Sequence, residues 1–439
     1  MDSFSSSKSD SSWPHPAVDP SPTAVAPSPT VLSSSPTDSE SRDIAAARWL
    51  LGDAGRAAVA GLPPYRSQNV FTLTSRLRHQ GLDADQTAAA LTLSRLRERG
   101  TAKFGERSNS MFFTADGYEQ ATRLSVGSLH AARFIQAGVK RIVDFGCGVG
   151  ADSLAFSLAG LEVTSIEAHP IAALYAAANV PEARVICADG LTIQLPEADA
   201  IWLDPARRTG SGKRVASPEA WTPPLSRALE ISKRYTVAGI KAAPGIAHAD
   251  LPADALVEWI GESGDLLEAV IWLGMRAGRV ATIDGESFDS GATAANEPVA
   301  FVDPRPLGTI LVEPDPAIIR SGGIAKLCER YDVAPVSDGI AYLSGNVIPP
   351  HCAAFEILDL LAPDVKAVKR ALTARGIGRV EVKKRGIDVD VETVRKKLPR
   401  EGAASGVVLF SPVMGRRKAI LARRISTLET TDPNDAFAS

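Results

Sequence analysis

Four acidic residues, Asp144, Glu167, Asp189 and Asp204, each end or closely follow a short apolar run, and three glycines punctuate the first of these sites. In VDFGCGVGADSLAFSLA, Gly146, Gly148 and Gly150 let the backbone turn tightly and approach a ligand, and the amides that follow open a helix. With Ala151 the run even satisfies the dinucleotide pattern G-x-G-x-x-G/A. Asp144, two residues before the first glycine, argues against that ligand, because a carboxylate there repels a pyrophosphate. Glu167, 17 residues beyond Gly150, can accept from both hydroxyls of a ribose. Each such bond contributes roughly 1.5–3 kcal/mol. An NAD enzyme would use the same residue, so Glu167 indicates a nucleoside without choosing the cofactor. Asp189, in ADGL, either meets a ligand or only closes an Asp-Gly turn. Asp204 ends DAIWLD and is followed by Pro205, Ala206 and the basic residues Arg207, Arg208, Lys213 and Arg214. A guanidinium plane at Arg207 can stack on a base or clamp a phosphate, or the loop is simply solvated.

These residues need a scaffold that gathers strand ends. From Lys140 onward short apolar strands alternate with helices, the pattern of a parallel sheet with ligands at its carboxyl edge. Strands are expected at RIVDF, EVTSIE, ARVICA, DAIWLD, YTVAGIKA, LLEAVIWLG and RVATI. The last two, joined by GMRAG, are expected to form an antiparallel hairpin closing a seven-stranded sheet. Upstream, AARWLLGDAGRAAVAGL and TSRLRHQGLDADQTAAALTLSRLRERG carry helical periodicity on either side of LPPYRSQN. A further helix is expected over YEQATRLSVGSLHAARFIQAG. Residues 1–42 are mostly Ser, Pro, Thr and Asp and read as a disordered tail.

The 439 residues imply two or three domains. No apolar run is long enough for a membrane helix, and the opening MDSFSSSKSD carries no apolar core of the kind expected of a signal peptide. Four scattered cysteines fit a reducing compartment, so a cytoplasmic location is expected, and the dispersed His130, His169, His248 and His351 suggest no metal site. Charge is strongly segregated. Residues 366–424 hold 17 Lys and Arg against 5 Asp and Glu, a net of +12, so with −3 overall the rest of the chain carries −15. Such segregation points to a polyanion, with Lys383, Lys384 and Arg385 as expected phosphate contacts.

The chain resembles bacterial S-adenosylmethionine (SAM)-dependent methyltransferases that carry a C-terminal THUMP-like domain. The resemblance covers nearly all of residues 43–425. It is carried by KFG (Lys103–Gly105), YEQATR (Tyr118–Arg123), VDFGCGVGADS (Val143–Ser153), WLDPARR (Trp202–Arg208), VEPDPAIIRSG (Val312–Gly322) and VEVKKRGIDVD (Val380–Asp390). The core is also similar to the trimethylguanosine synthase-type enzymes. The resemblance implies an α/β fold, a Rossmann-like seven-stranded class I methyltransferase sheet. An N-terminal helical domain would occupy residues 43–118, the methyltransferase domain 119–300 and an α+β THUMP-like basic domain 308–428. It implies SAM as cofactor, held by Asp144 at the methionine ammonium, by Gly146, Gly148 and Gly150, by Glu167 at the ribose and by Asp189 at the adenine amine. Asp204-Pro205 resembles the D-P-P-[YFW] signature of enzymes that methylate base nitrogens. There the Asp side chain and the carbonyl after the proline orient the target amine. Here Ala206 and Arg207 replace the second proline and the aromatic residue. The catalytic set implied is Asp204, Pro205 and Arg207, and RNA, tRNA or rRNA, is the suspected partner. A protein or small-molecule methyltransferase and a non-catalytic RNA-binding protein are the alternatives.

Overall fold

The computed structural model describes residues 38–207 and 217–426. The expected tail lies outside them as far as residue 37, and from Asp38 the chain is helical.

Helices α1 (Asp38–Leu51), α2 (Asp53–Ala60), α3 (Val70–His79) and α4 (Ala84–Phe104) form the N-terminal region. Helix α4 opens with a reciprocal cap: Gln86 N donates to Asp83 Oδ1 at 2.8 Å and Asp83 N to Gln86 Oε1 at 3.1 Å. Leu50, Leu77, Leu93, Leu96 and Phe112 are buried together, and this core continues into Val149, Tyr175 and Val180. Asn179 fastens the seam, donating to the carbonyls of Phe112 (2.9 Å) and Val149 (2.8 Å) and accepting from Phe112 N (2.8 Å).

The single helix expected over residues 118–138 is in fact two, α5 (Ala115–Gln120) and α6 (Leu124–Gln136). Lys103 Nζ donates to the carbonyls of Tyr118 (2.8 Å), Glu119 (3.2 Å) and Ala121 (2.7 Å), groups a continuous helix would have bonded internally. The periodicity is continuous through the break, so only tertiary partners end α5.

Next come β1 (Arg141–Phe145), α7 (Ala151–Leu158), β2 (Glu162–Glu167), α8 (Pro170–Asn179), β3 (Arg184–Cys187), β4 (Ala200–Leu203), α9 (Leu225–Ser232) and β5 (Val237–Ala242). Strands β6 (Leu256–Glu262), β7 (Asp265–Leu273), β8 (Gly278–Ile283) and β9 (Glu286–Asp289) complete a nine-stranded sheet, ordered β3-β2-β1-β4-β5-β7-β6-β8-β9. Strands β3 to β5 run parallel, and β7 is antiparallel between β5 and β6. The seven-stranded class I order is present, extended by β8 and β9. The hairpin needs correction, because the strands joined by GMRAG, β7 and β8, do not pair. Strand β7 pairs with β6, which no expectation covered, and β8 lies parallel on the far side of β6. Glu258 interrupts the apolar run of β6 and hid it. In the fold Glu258 is 2% exposed and accepts from Arg133 Nη2 (2.8 Å), Trp272 Nε1 (2.9 Å) and Thr282 Oγ1 (2.5 Å).

The C-terminal region comprises β10 (Ile310–Pro314), α10 (Pro316–Arg320), α11 (Ile324–Arg330), β11 (Val333–Pro335), β12 (Leu343–Gly345), β13 (Cys352–Leu361), α12 (Val365–Ala374), β14 (Ile377–Lys384), α13 (Val391–Lys397), β15 (Ala404–Val413) and β16 (Arg416–Ile425). Its strands form a second sheet, β11-β12-β10-β13-β16-β15-β14, parallel only between β14 and β15 among the described strands. Helices α12 and α13 cover one face, burying Val368, Leu372 and Val394 on Val382, Val408 and Phe410. The opposite end of the region shares a core with the first sheet, where Ile318, Leu327 and Leu343 join Trp259, Ile283 and Phe288.

Losing one partner of a buried ion pair costs about 3–5 kcal/mol, and Arg133 keeps 23% exposure, which favours the low end. Glu258→Ala should therefore lower stability to chemical denaturation by about 3 kcal/mol. A loss below about 1 kcal/mol would mean that strand pairing alone holds β6.

Candidate active site

The carboxyl ends of β1 to β4 open on a cavity of about 450 Å³, within the usual range for small-molecule sites. Asp144, Gly146, Gly148, Glu167, Asp189 and Asp204 all line it. Gly150 does not. It precedes α7 at φ +83°, where a Cβ would come within 3.3 Å of Ala176 and Val180. A second cavity, about 400 Å³, brings Asp204 together with Pro205 and Arg207. Asp204 and Gln120 border both spaces. Arg208, Lys213 and Arg214 lie outside the described residues.

Gly146 and Gly148 adopt φ +78° and +57°, a region that costs other residues about 1–2 kcal/mol. A Cβ on Gly148 would meet nothing within 4 Å, so the loop presents bare backbone to open space. Glu167 Oε2 accepts from Gly148 N at 2.8 Å and Oε1 from His169 N at 2.7 Å, which fixes the carboxylate and leaves each oxygen a further lone pair. Asp189 closes the turn that its sequence suggested, Oδ1 accepting from Leu191 N at 2.9 Å, while still lining the cavity. Asp144 is 1% exposed and accepts from Ser153 Oγ at 2.5 Å. Burial, aided by the charge of Asp152, pushes its carboxyl up to about 8.

Beneath Asp204 lies a closed ring of buried polar groups. Lys241 Nζ donates to Thr122 Oγ1 (2.8 Å), which donates to Asp152 Oδ2 (2.7 Å). Asp152 Oδ1 meets His130 Nδ1 at 3.0 Å, and His130 Nε2 meets Glu268 Oε1 at 2.7 Å. Glu268 Oε2 closes the circuit 3.7 Å from Lys241 Nζ. Lys241 also donates to Asp204 Oδ2 at 2.9 Å. Burial alone would lower the pKa of His130, but Glu268 and Asp152 outweigh it and raise it to about 9. Burial would likewise lower that of Lys241, and Asp204 and Glu268 reverse the effect. The carboxyl of Asp204 is raised by desolvation, against the pull of Lys241.

Residues 352–424 match a family model described as THUMP domain-like, and residues 43–100 one described as a domain of unknown function (DUF8688). The chain is 28% identical over 330 residues to an uncharacterized S-adenosylmethionine-dependent methyltransferase of Mycobacterium tuberculosis, found in strains CDC 1551 and H37Rv. The match spans 72% of this chain and 90% of that protein. The crystal structure of a candidate methyltransferase from Porphyromonas gingivalis W83 shares the fold at a TM-score of 0.64 and 16% identity, covering 88% of this chain and 99% of that one. The chain is a SAM-dependent methyltransferase.

The methyltransferase therefore brings the six cavity-lining residues named from sequence to one place, and sets Pro205 and Arg207 on the neighbouring space. Sequence reasoning missed Thr122, His130, Asp152, Lys241 and Glu268. A signal existed for two of them. Lys241 in VAGIKA and Glu268 in DLLEAVIWL are charges inside strands whose neighbours are buried, and such charges require partners.

No helix among the described residues is long and apolar enough to cross a membrane. One component of the pH dependence of stability comes from His130. Its folded pKa of about 9 exceeds the unfolded value of 6.5, so its contribution is whole below pH 6.5 and is lost as pH rises through 9. Between pH 8 and 10 the thermal midpoint of the wild type should fall more steeply than that of His130→Asn. Parallel curves would show that His130 is not the proton lost.

Proposed function

We propose that the methyltransferase modifies a base nitrogen in structured RNA, with Asp204 as the residue that orients the acceptor amine. The observation that carries this reading is the position of Asp204 on the wall common to two cavities, immediately before Pro205. The residues of the first cavity fit SAM. The exposed backbone at Gly146 and Gly148, the free lone pairs of Glu167 for ribose hydroxyls, Asp144 for the ammonium and Asp189 for the adenine amine make up its donor and acceptor set. When bound, SAM supplies an electrophilic methyl on a positively charged sulfur.

In the second cavity Asp204 Oδ1 and the Pro205 carbonyl accept from the amine and aim its lone pair, so the protein's contribution is chiefly positioning. No aromatic ring lines this cavity among the described residues, and the Arg207 guanidinium supplies the planar surface on which a base can rest.

The partner reading rests on the basic C-terminal region. Two of the three expected phosphate contacts are already committed. Lys383 pairs with Glu313, as does Arg385 at 3.3 Å. On the helical face, Lys366, Lys369 and Arg370 of α12 and Lys396 and Lys397 of α13 are exposed and have no carboxylate partner among the described residues. This face is the better site for an RNA backbone.

Two sets of measurements test the proposal. Glu167→Ala should weaken SAM binding at least about tenfold by calorimetry, the equivalent of roughly 1.4 kcal/mol. Asp204→Ala should leave SAM binding nearly unchanged while methylation falls by about two orders of magnitude, and Arg207→Ala should act on the RNA. Equal loss of cofactor binding in the Asp204 and Arg207 variants would remove the acceptor role. RNA affinity should fall with salt at a log–log slope of roughly −4 to −7, for about five to eight phosphates. Reversing Lys366, Lys369 and Arg370 should flatten that slope by about 2 to 3. Labelled methyl recovered in protein and not RNA would reassign the acceptor class.

A further inference from the structure

The buried ring beneath the active site balances its own charge. Lys241 and His130 bring two cations, Asp152 and Glu268 two carboxylates, and all four are at most 7% exposed. His130 bonds a carboxylate through each ring nitrogen, so both nitrogens carry protons, and its ring lies 4.3 Å from that of Trp202. Asp204 is the one charged member outside this balance, and its side chain retains 27% exposure toward the cavities. It hangs from the ring by a single bond, Lys241 Nζ to Oδ2, while no hydrogen bond engages Oδ1 among the described residues.

We infer that Lys241 is a positioning residue for methyl transfer: anchored by the Thr122–Asp152–His130–Glu268 ring, it holds Asp204 ionised by Oδ2 and leaves Oδ1 as the oxygen that meets the acceptor. The inference rests on the reading that Asp204 orients the acceptor. The ring is assembled from β5, β7, α6, α7 and the break between α5 and α6, so Lys241 cannot shift without disturbing all of them. Its charge matters as much as its place. The charged or titratable groups facing Asp204 are Lys241 from β5, Asp152 from α7, Asp144 from β1 and Arg207 from its own segment. Two of these are carboxyl groups. Without Lys241, Asp204 would sit above Asp152 and Glu268 with only His130 between them, and repulsion would drive a proton onto Asp204. A protonated carboxyl offers the acceptor amine a donor where an acceptor is needed. As methyl transfer moves positive charge onto the acceptor nitrogen, the ionised Oδ1 is also the group that stabilises it.

The test reads the protonation of Asp204 directly and needs no acceptor. Infrared difference spectroscopy of the full-length protein at pH 7 detects the C=O stretch of protonated carboxyls. In these spectra every protein carries Asp144→Asn, because the Asp144 carboxyl, pushed up to about 8, would share the band. With and without Asp204→Asn the protein should then show the same intensity there, since Asp204 is ionised. Lys241→Met should gain a band that disappears in the Lys241→Met, Asp204→Asn double variant. Affinity of Lys241→Met for S-adenosylhomocysteine, measured by calorimetry, should stay within about threefold of wild type. With total RNA from cells lacking the protein as substrate, kcat of Lys241→Met should fall at least about tenfold. The acid limb of its pH profile should move to higher pH, with KM for SAM unchanged.

A band already present with Lys241 intact and lost in Asp204→Asn would overturn the inference, and this arm stands even if Lys241→Met does not fold. So would a Lys241→Met spectrum indifferent to Asp204→Asn. If the wild type labels no RNA while the infrared pattern appears as expected, the RNA reading fails and the positioning role of Lys241 stands.

Discussion

A lysine ammonium buried in the middle of a sheet is costly unless its charge is answered, and Lys241 is 5% exposed. Much of the site follows from how that demand is met. Asp204 and Glu268 supply the charge and Thr122 a hydroxyl acceptor. With Lys241 shared among three carboxylates, Glu268 and Asp152 would in turn be short of a positive charge without His130 between them. To place Thr122 in this circuit the chain must leave the helical path at Ala121–Arg123, and that break brings Gln120, Ala121 and Thr122 to the cavity wall. One buried cation thus links the shape of the pocket to the position of its central carboxylate.

The site is also braced from both ends of the chain. Lys103 of α4 takes the carbonyls at the end of α5, and Asn179 ties Phe112 to the glycine loop at Val149. From the other side, Arg320 of α10 donates to the carbonyls of Pro244 (3.0 Å) and Ile246 (2.5 Å), and Pro244 lines the second cavity. Trp259 Nε1 donates to the same Pro244 carbonyl at 3.1 Å. The shared core of Trp259, Phe288, Ile318 and Leu327 makes this bracing part of the hydrophobic interior, well beyond a surface contact. The KFG and PDPAIIRSG segments, far apart in sequence, both act on the walls of one site.

Much of the fold was legible because its signals are local. Apolar runs of strand length, bounded by turn residues, located β1 to β5 and β7 to β8. What failed to read locally were elements whose polar residues find remote partners. Strand β6 was hidden by Glu258, whose charge is acceptable only because Arg133, 125 residues earlier, reaches it. The strand pairing at β7 followed from that omission. The basic strand β14 misled in the opposite sense. Lys383 and Arg385 read in sequence as phosphate contacts, yet both turn to Glu313, some 70 residues away.

The sequence by itself determined the glycine loop and the four acidic residues at strand ends, because tight turns and strand termini are set by nearby residues. It also determined the charge segregation, which is a matter of counting. The tertiary structure alone decided which carboxylates reach a common cavity and that Gly150 serves packing and not the wall. It alone decided that Asp204 separates two cavities and that His130 is a buried cation. The physical reason is the same in each case: a buried polar group is specified by its partners, and those of His130 lie 22 and 138 residues from it along the chain.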